Sequence, residues 1–142
     1  MYGDELLRAE QLHLIRLAIW AGASLLVSAL LLGLLRWRAS SSSLLRQFAI
    51  QMAGWGGLEL AIAGAAWGRL TMPDLAAATR LDRILWLNIG LDAGYAGVGI
   101  SLALCGWLLG RRLGLVGAGL AVIVHGAALL LLDARLATFI SR

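Results

Sequence analysis

Two acids stand deep inside apolar runs of this chain: Glu59 in GWGGLELAIAG (Gly54 to Gly64) and Asp92 in LWLNIGLDAGY (Leu85 to Tyr95). A third apolar run carries His125. Carboxylates and an imidazole can share or pass a proton, pair with a cation, or hydrogen-bond a small polar group. Their neighbours fall at helical spacing. Gln51, Trp55 and Glu59 recur at i+4, Asn88, Asp92, Tyr95 and Gly99 share a second face, and Trp20, Ser24 and Ser28 form a third stripe. At the helical rise per residue, Ser24, Glu59 and His125 each lie about 15 Å from one membrane surface, Asp92 about 12 Å, and Tyr95 at the Glu59 level. Charged groups inside a membrane span are rare and normally face the bundle interior. The expectation is a buried Glu59–Asp92–His125 constellation with Ser24 in the same layer. Two carboxylates so close cannot both ionise cheaply, so a shared proton or an imidazolium–carboxylate pair is expected, with Tyr95, Asn88 and Gln51 donating hydrogen bonds. The competing reading is structural: the three groups lock helix register.

Other chemistries lack their ligands. A di-iron bundle needs two Glu-x-x-His pairs, and no E-x-x-H occurs. Glu59, Asp92 and His125 would be a sparse mononuclear metal site, so no metal is assigned. His13 and His125 differ too much in depth to share a haem. The single cysteine, Cys105, excludes an internal disulfide. No nucleophile–base–acid order, phosphate loop or dinucleotide fingerprint is present, so no catalytic residue and no cofactor is assigned.

The elements that must position these residues follow from composition. The chain has 142 residues, enough for one domain, and is 61% hydrophobic with a mean hydropathy of +0.85. Four stretches reach the roughly 20 apolar residues that a span needs: 14–35, 45–68, 84–110 and 113–136. The fold class expected is all-α: a polytopic membrane protein built as an antiparallel bundle of four transmembrane helices. Residues Asp4 to His13 read as a helical lead-in capped at Gly3-Asp4, the serines 40–43 as an N-cap for the second helix, and the stretch after Pro73 as a short amphipathic piece ending at Arg83. Gly110-Arg111-Arg112 leaves room only for a tight hairpin between the last two helices.

All 12 basic side chains are arginines placed beside helix ends, a pattern for anionic headgroups rather than nucleic acid. Seven of them (Arg8, Arg16, Arg69, Arg80, Arg83, Arg135, Arg142) fall on the side of the termini and five on the other, which favours cytoplasmic termini. The Arg/Ala/Gly/Leu bias suggests a bacterial cytoplasmic membrane. The first apolar run is too long for a signal peptide. Trp67, Trp86 and Trp107 suit interfacial anchoring, and Asp133, two residues from Arg135, reads as a solvated or capping acid.

Small residues form separate stripes: Gly54, Gly57, Gly64 and Gly68 on the second helix, and Gly90, Gly94 and Gly97 on the third. Each lies more than about 100° from its helix's polar stripe at 3.6 residues per turn. Such faces pack helices closely, inside one molecule or in a homodimer or larger membrane complex. Gly114, Gly117 and Ala121 share the His125 face and could leave a cavity or seat a side chain. Gly57-Leu58-Glu59 with Ala63-Gly64 echoes Gly90-Leu91-Asp92 with Ala96-Gly97, which coincidence explains better than an inverted repeat.

The segments GWGGLELAIAG, LWLNIGLDAGY and HGAALLLLDARLA (His125 to Ala137) resemble a bacterial family of small four-helix membrane proteins of unknown function. The resemblance implies the architecture and no activity. It also implies glutamine more often than histidine at position 125, which argues against a strictly required imidazole. The leading functional expectation is a midplane polar site for a proton, cation or small polar ligand. The rival is a non-catalytic accessory or scaffold subunit assembling through the glycine faces; an enzyme has no motif to support it.

Overall fold

The computed structural model describes residues 2–140, which form four helices and no strand: α1 (Tyr2–Trp37), α2 (Ser43–Trp67), α3 (Leu75–Leu108) and α4 (Leu113–Ile140). Arg142, used above for orientation, lies outside the described residues.

The lead-in continues into α1 without a break, and Asp4 and Glu5 occupy the first turn, where they favour the helix dipole. Asp4 is therefore inside the helix rather than capping it. Ser42 caps α2, its hydroxyl accepting from the Leu45 amide, and Asp74 caps α3, accepting from the Ala77 amide at 2.7 Å. The piece after Pro73 is not separate, because α3 runs unbroken from Leu75 through Arg83 to Leu108. Between α3 and α4 the chain reverses through Gly110 at φ +82° and Arg111 at φ +53°, and the Arg112 amide closes back on the Gly106 carbonyl at 2.6 Å. The left-handed conformation is available to glycine without penalty, which places Gly110 at the bend.

Burial inverts the usual order. Large apolar side chains face outward on every helix, among them Ile19, Leu30, Ile62, Leu87 and Leu131, while Ser24, Ser28, Glu59, Asp92, His125 and Asp133 are buried. A bundle folded in water does the reverse. Three helices (α1, α3 and α4) are long and apolar enough to cross a membrane. The expected second span, α2, is not among them: Gln51, Glu59 and four glycines dilute its hydropathy.

The inward faces repeat at close to seven residues. On α2 they are Ala49, Met52, Gly56, Glu59 and Ala63; on α3 they are Ala78, Leu85, Asp92, Gly99 and Gly106. This is the seam spacing of a left-handed bundle. The lateral order is uneven. The most extensive packing is α3 on α4, followed by α1 on α2 and α2 on α4, whereas α1 meets α4 over a smaller area. Neither α1 nor α2 packs extensively on α3. At the end where the termini meet, Leu85, Leu136 and Ala137 form an apolar cluster with Ala9, Leu81, Ile89 and Ile140. At the other end the backbones approach closely. A Cβ on Gly99 would stand 2.7 Å from the Gly119 carbonyl oxygen, one on Gly106 2.8 Å from the Val116 nitrogen, and one on Gly117 would collide with the Leu44 carbonyl. The small residues on the His125 face thus seat α2 and open no path.

Candidate functional site

Glu59 and His125 meet across α2 and α4. Nδ1 of His125 lies 2.7 Å from Oε1 of Glu59, and both side chains are almost fully buried. One proton occupies that contact. Trp20 Nε1 lies 3.4 Å from the same ring nitrogen. The shorter contact takes the capacity of Nδ1, so Trp20 serves as an edge-on packing neighbour, its ring at 71° to the imidazole. Trp55 completes an aromatic wall, 6.3 Å from His125 and 5.1 Å from Tyr95 between ring centroids.

The gap between α2 and α3 holds a cavity of about 340 Å³. Its polar lining consists of Glu10, His13, Glu59, Asn88, Asp92 and Asp133; Trp55 and Tyr95 also reach it. His125 does not line it; a small void that it shares with Trp55 and Tyr95 has no room for a water molecule. The imidazole therefore stands behind Glu59, holding Oε1, while Glu59 Oε2 has no hydrogen-bond partner in the protein. Asp92 Oδ2 is likewise unpartnered, and its residue is 4% exposed. Ser24 Oγ and His125 Nε2 are the other buried atoms in this condition. An unsatisfied buried polar group is costly, so four in one region require a cause.

The expected residues divide accordingly. Glu59, Asp92, Asn88, Tyr95 and Trp55 share the cavity wall, with His125 one layer behind. Ser24 lies outside it, against Gly56 on the interface of α1 and α2. Gln51 is half-buried and lines no cavity described here. It stands eight residues before Glu59, and at about 100° per residue an i+4 ridge drifts by about 80° over that distance. The buried seam follows Ala49, Met52, Gly56 and Glu59 instead. Asn88 is within hydrogen-bonding reach of Asp133 rather than of Glu59, and Tyr95 packs its ring on Trp55.

Sequence reasoning missed a second pair. Asp133 is not solvated: it is 7% exposed, and its Oδ1 lies 3.3 Å from His13 Nε2. A partial signal was present in the seven-residue step from His13 to Trp20 on α1, whereas Asp133, eight residues past His125, is turned about 80° from it. Among the described residues no three His, Cys, Asp or Glu side chains stand close enough to hold a metal ion.

The glycine stripes also resolve. A Cβ on Gly54, Gly57, Gly64, Gly90, Gly94 or Gly97 would meet nothing within 4 Å, and one on Gly68 only carbonyls of its own helix. These faces point away from the bundle, and a different set, Gly56, Gly99, Gly106, Gly117, Gly119 and Gly126, makes the internal contacts.

Residues 16–134 match a family of unknown function. The chain belongs to DUF6992. The part matched to DUF6992 includes Glu59, Asn88, Asp92, His125 and Asp133, and leaves Glu10 and His13 in the preceding turns of α1. No curated protein and no solved structure matches the chain.

Proposed function

We propose that this DUF6992 protein is a multi-pass membrane protein, with all four helices spanning the bilayer and both termini cytoplasmic, that binds a ligand at Glu59 and Asp92. The supporting observation is that two buried carboxylate oxygens, Glu59 Oε2 and Asp92 Oδ2, lack protein partners in the wall of one cavity. A purely structural hydrogen-bond lock would use both oxygens. The outward apolar surface supports the membrane assignment, and α2 is carried across by its packing on α1 and α4.

Binding is favoured over conduction by the shape of the interior. The polar groups of the cavity run from Glu10 and His13 at the terminus end to Glu59, with His125 behind it, and the buried Ser28 beyond them is already committed to the Ala49 carbonyl. On that side α4 is sealed on α3 and α2 by backbone contact at Gly99, Gly106, Gly117 and Gly119. A conducting path needs polar lining on both sides.

Native mass spectrometry of the protein extracted gently from its host membrane tests the reading. A bound mass that disappears in Glu59→Gln and Asp92→Asn, while both variants keep wild-type helicity, is expected. Loss of folding in both variants, or wild-type protein that carries nothing, would make the constellation structural.

A second reading rests on the outward glycines: with nothing opposite Gly57 or Gly94, those faces suit a second copy or another membrane subunit. Gly57→Leu or Gly94→Leu should then break assembly and leave the monomer folded. Unchanged assembly in both would remove this reading.

A further inference from the structure

The cavity wall is acidic beyond what the protein neutralises. Glu10, Glu59, Asp92 and Asp133 contribute four carboxylates to it, and no arginine lines it. Two of the four are matched by imidazoles, Glu59 by His125 at 2.7 Å and Asp133 by His13 at 3.3 Å. None of the ion pairs among the described residues reaches Asp92. Its Oδ2 and Glu59 Oε2 are the unsatisfied atoms of the wall, on side chains more than nine-tenths buried. In the ionised form both atoms accept hydrogen bonds, so the partner that completes that form is a donor. A cation that donates hydrogen bonds completes this environment.

Apart from His13, Asn88 and Tyr95, the rest of the lining is apolar, and the entrance is lateral. Because α2 and α3 do not pack extensively on each other, the cavity opens between them. Its rims are Leu58 and Ile62 on α2 and Ile84 and Leu91 on α3, each about half exposed. Such an entrance admits a molecule from lipid rather than from water. A bare proton would satisfy Asp92 and leave the cavity without an occupant. A hard metal ion needs a shell of oxygens that no group of three acidic, histidine or cysteine side chains among the described residues provides. At about 340 Å³ the space lies near the lower end of the range for small-molecule sites. It accommodates a headgroup and the first part of a chain.

We propose that the cavity binds an amphiphile bearing a protonated amine, which enters between α2 and α3. Its ammonium sits on Asp92 Oδ2 and Glu59 Oε2, and its apolar body lies against Leu58, Ile62, Ile84 and Leu91. Trp55 and Tyr95, whose rings are 5.1 Å apart in the wall, add a π surface beside the charge. The assignment rests on the binding site proposed above and names the class of its ligand.

The test uses the full chain in phosphatidylcholine nanodiscs, titrated with dodecylamine, dodecanol or dodecanoate, with adducts counted by native mass spectrometry. A single dodecylamine should saturate at a concentration at least tenfold below that needed for dodecanol, and dodecanoate should not saturate. Asp92→Asn should weaken the amine at least tenfold and leave the alcohol unchanged. Leu91→Trp, which narrows the mouth without touching a carboxylate, should lower amine occupancy and serves if Asp92→Asn does not fold. Equal affinity for amine and alcohol, or amine binding indifferent to both variants, would overturn the assignment. A host-derived mass that is lost in Glu59→Gln but carries no amine would overturn the ligand class alone. A chain that binds neither a host-derived mass nor any probe would overturn the site as well.

Discussion

Replacing His125 with leucine would leave the Glu59 carboxylate, 3% exposed, without its imidazole. The 2.7 Å contact has the length of a charge-assisted hydrogen bond. Removing one partner of a buried ion pair costs about 3–5 kcal/mol in proteins folded in water. A neutral hydrogen bond between helices in a bilayer averages about 0.6 kcal/mol and reaches about 1.7, because the unfolded chain in lipid finds other partners. An ionic pair in a bilayer falls between these limits, so a coupling energy of about 2–3 kcal/mol is expected, roughly 30- to 150-fold in the folding equilibrium. The two single variants should differ. After Glu59→Leu the ring can still accept from Trp20 Nε1, 3.4 Å away, whereas after His125→Leu the carboxylate has no such substitute. His125→Leu should therefore be the worse of the two, and the double leucine variant should be better than the sum of the singles. Unfolding of wild type, both singles and the double in bicelles, measured by steric trapping, supplies the cycle. A coupling below about 0.6 kcal/mol would show that the pair is no stronger than a neutral hydrogen bond. It would refute the picture of Glu59 held by one oxygen with the other offered to the cavity.

Further expectations are more local. Gly99→Ala places a methyl 2.7 Å from the Gly119 carbonyl oxygen and should destabilise by about 1–3 kcal/mol, whereas Gly57→Ala meets open space and should be neutral or gain up to about 1 kcal/mol from helix propensity; the same bicelle assay separates them. Ser28→Ala removes a 2.8 Å hydrogen bond to the Ala49 carbonyl and should cost only about 0.6 kcal/mol, since that oxygen also sits within a helix; a loss above about 2 kcal/mol would contradict this. Asp74→Ala removes the N-cap of α3 and should lower stability by about 0.5–2 kcal/mol, read as a drop in melting temperature. In a Cys105→Ala background, cysteines at Ser41 and Thr71 should react with an impermeant maleimide from opposite sides of sealed vesicles. Labelling from one side would show that α2 does not cross.

Much of the architecture is a local property, and the sequence alone determined it. The number of helices follows from the apolar runs, the start of α2 from its serine cap at Ser42, and the outward apolar surface from composition. Depth is set by counting residues along a helix axis, which is why Glu59 and His125 could be put at one level before any contact was known. The angular position of a residue on its helix is also local, so Gly57 and Gly94 were legible as lying away from the polar stripes. Which helix lies opposite a given face is a different kind of fact. Short connections of a few residues permit more than one lateral order of four helices, and packing chooses among them. Here α4 is seated against α3 by Gly99 and Gly119 and against α2 by Gly117, and this leaves α2 and α3 apart. That separation decided that Asp92 would share a cavity with Glu59 rather than a hydrogen bond. It also decided that His13 and Asp133, distant by 120 positions, would pair. Period and depth are written along one chain; neighbours depend on close packing between helix faces, which only the folded bundle evaluates.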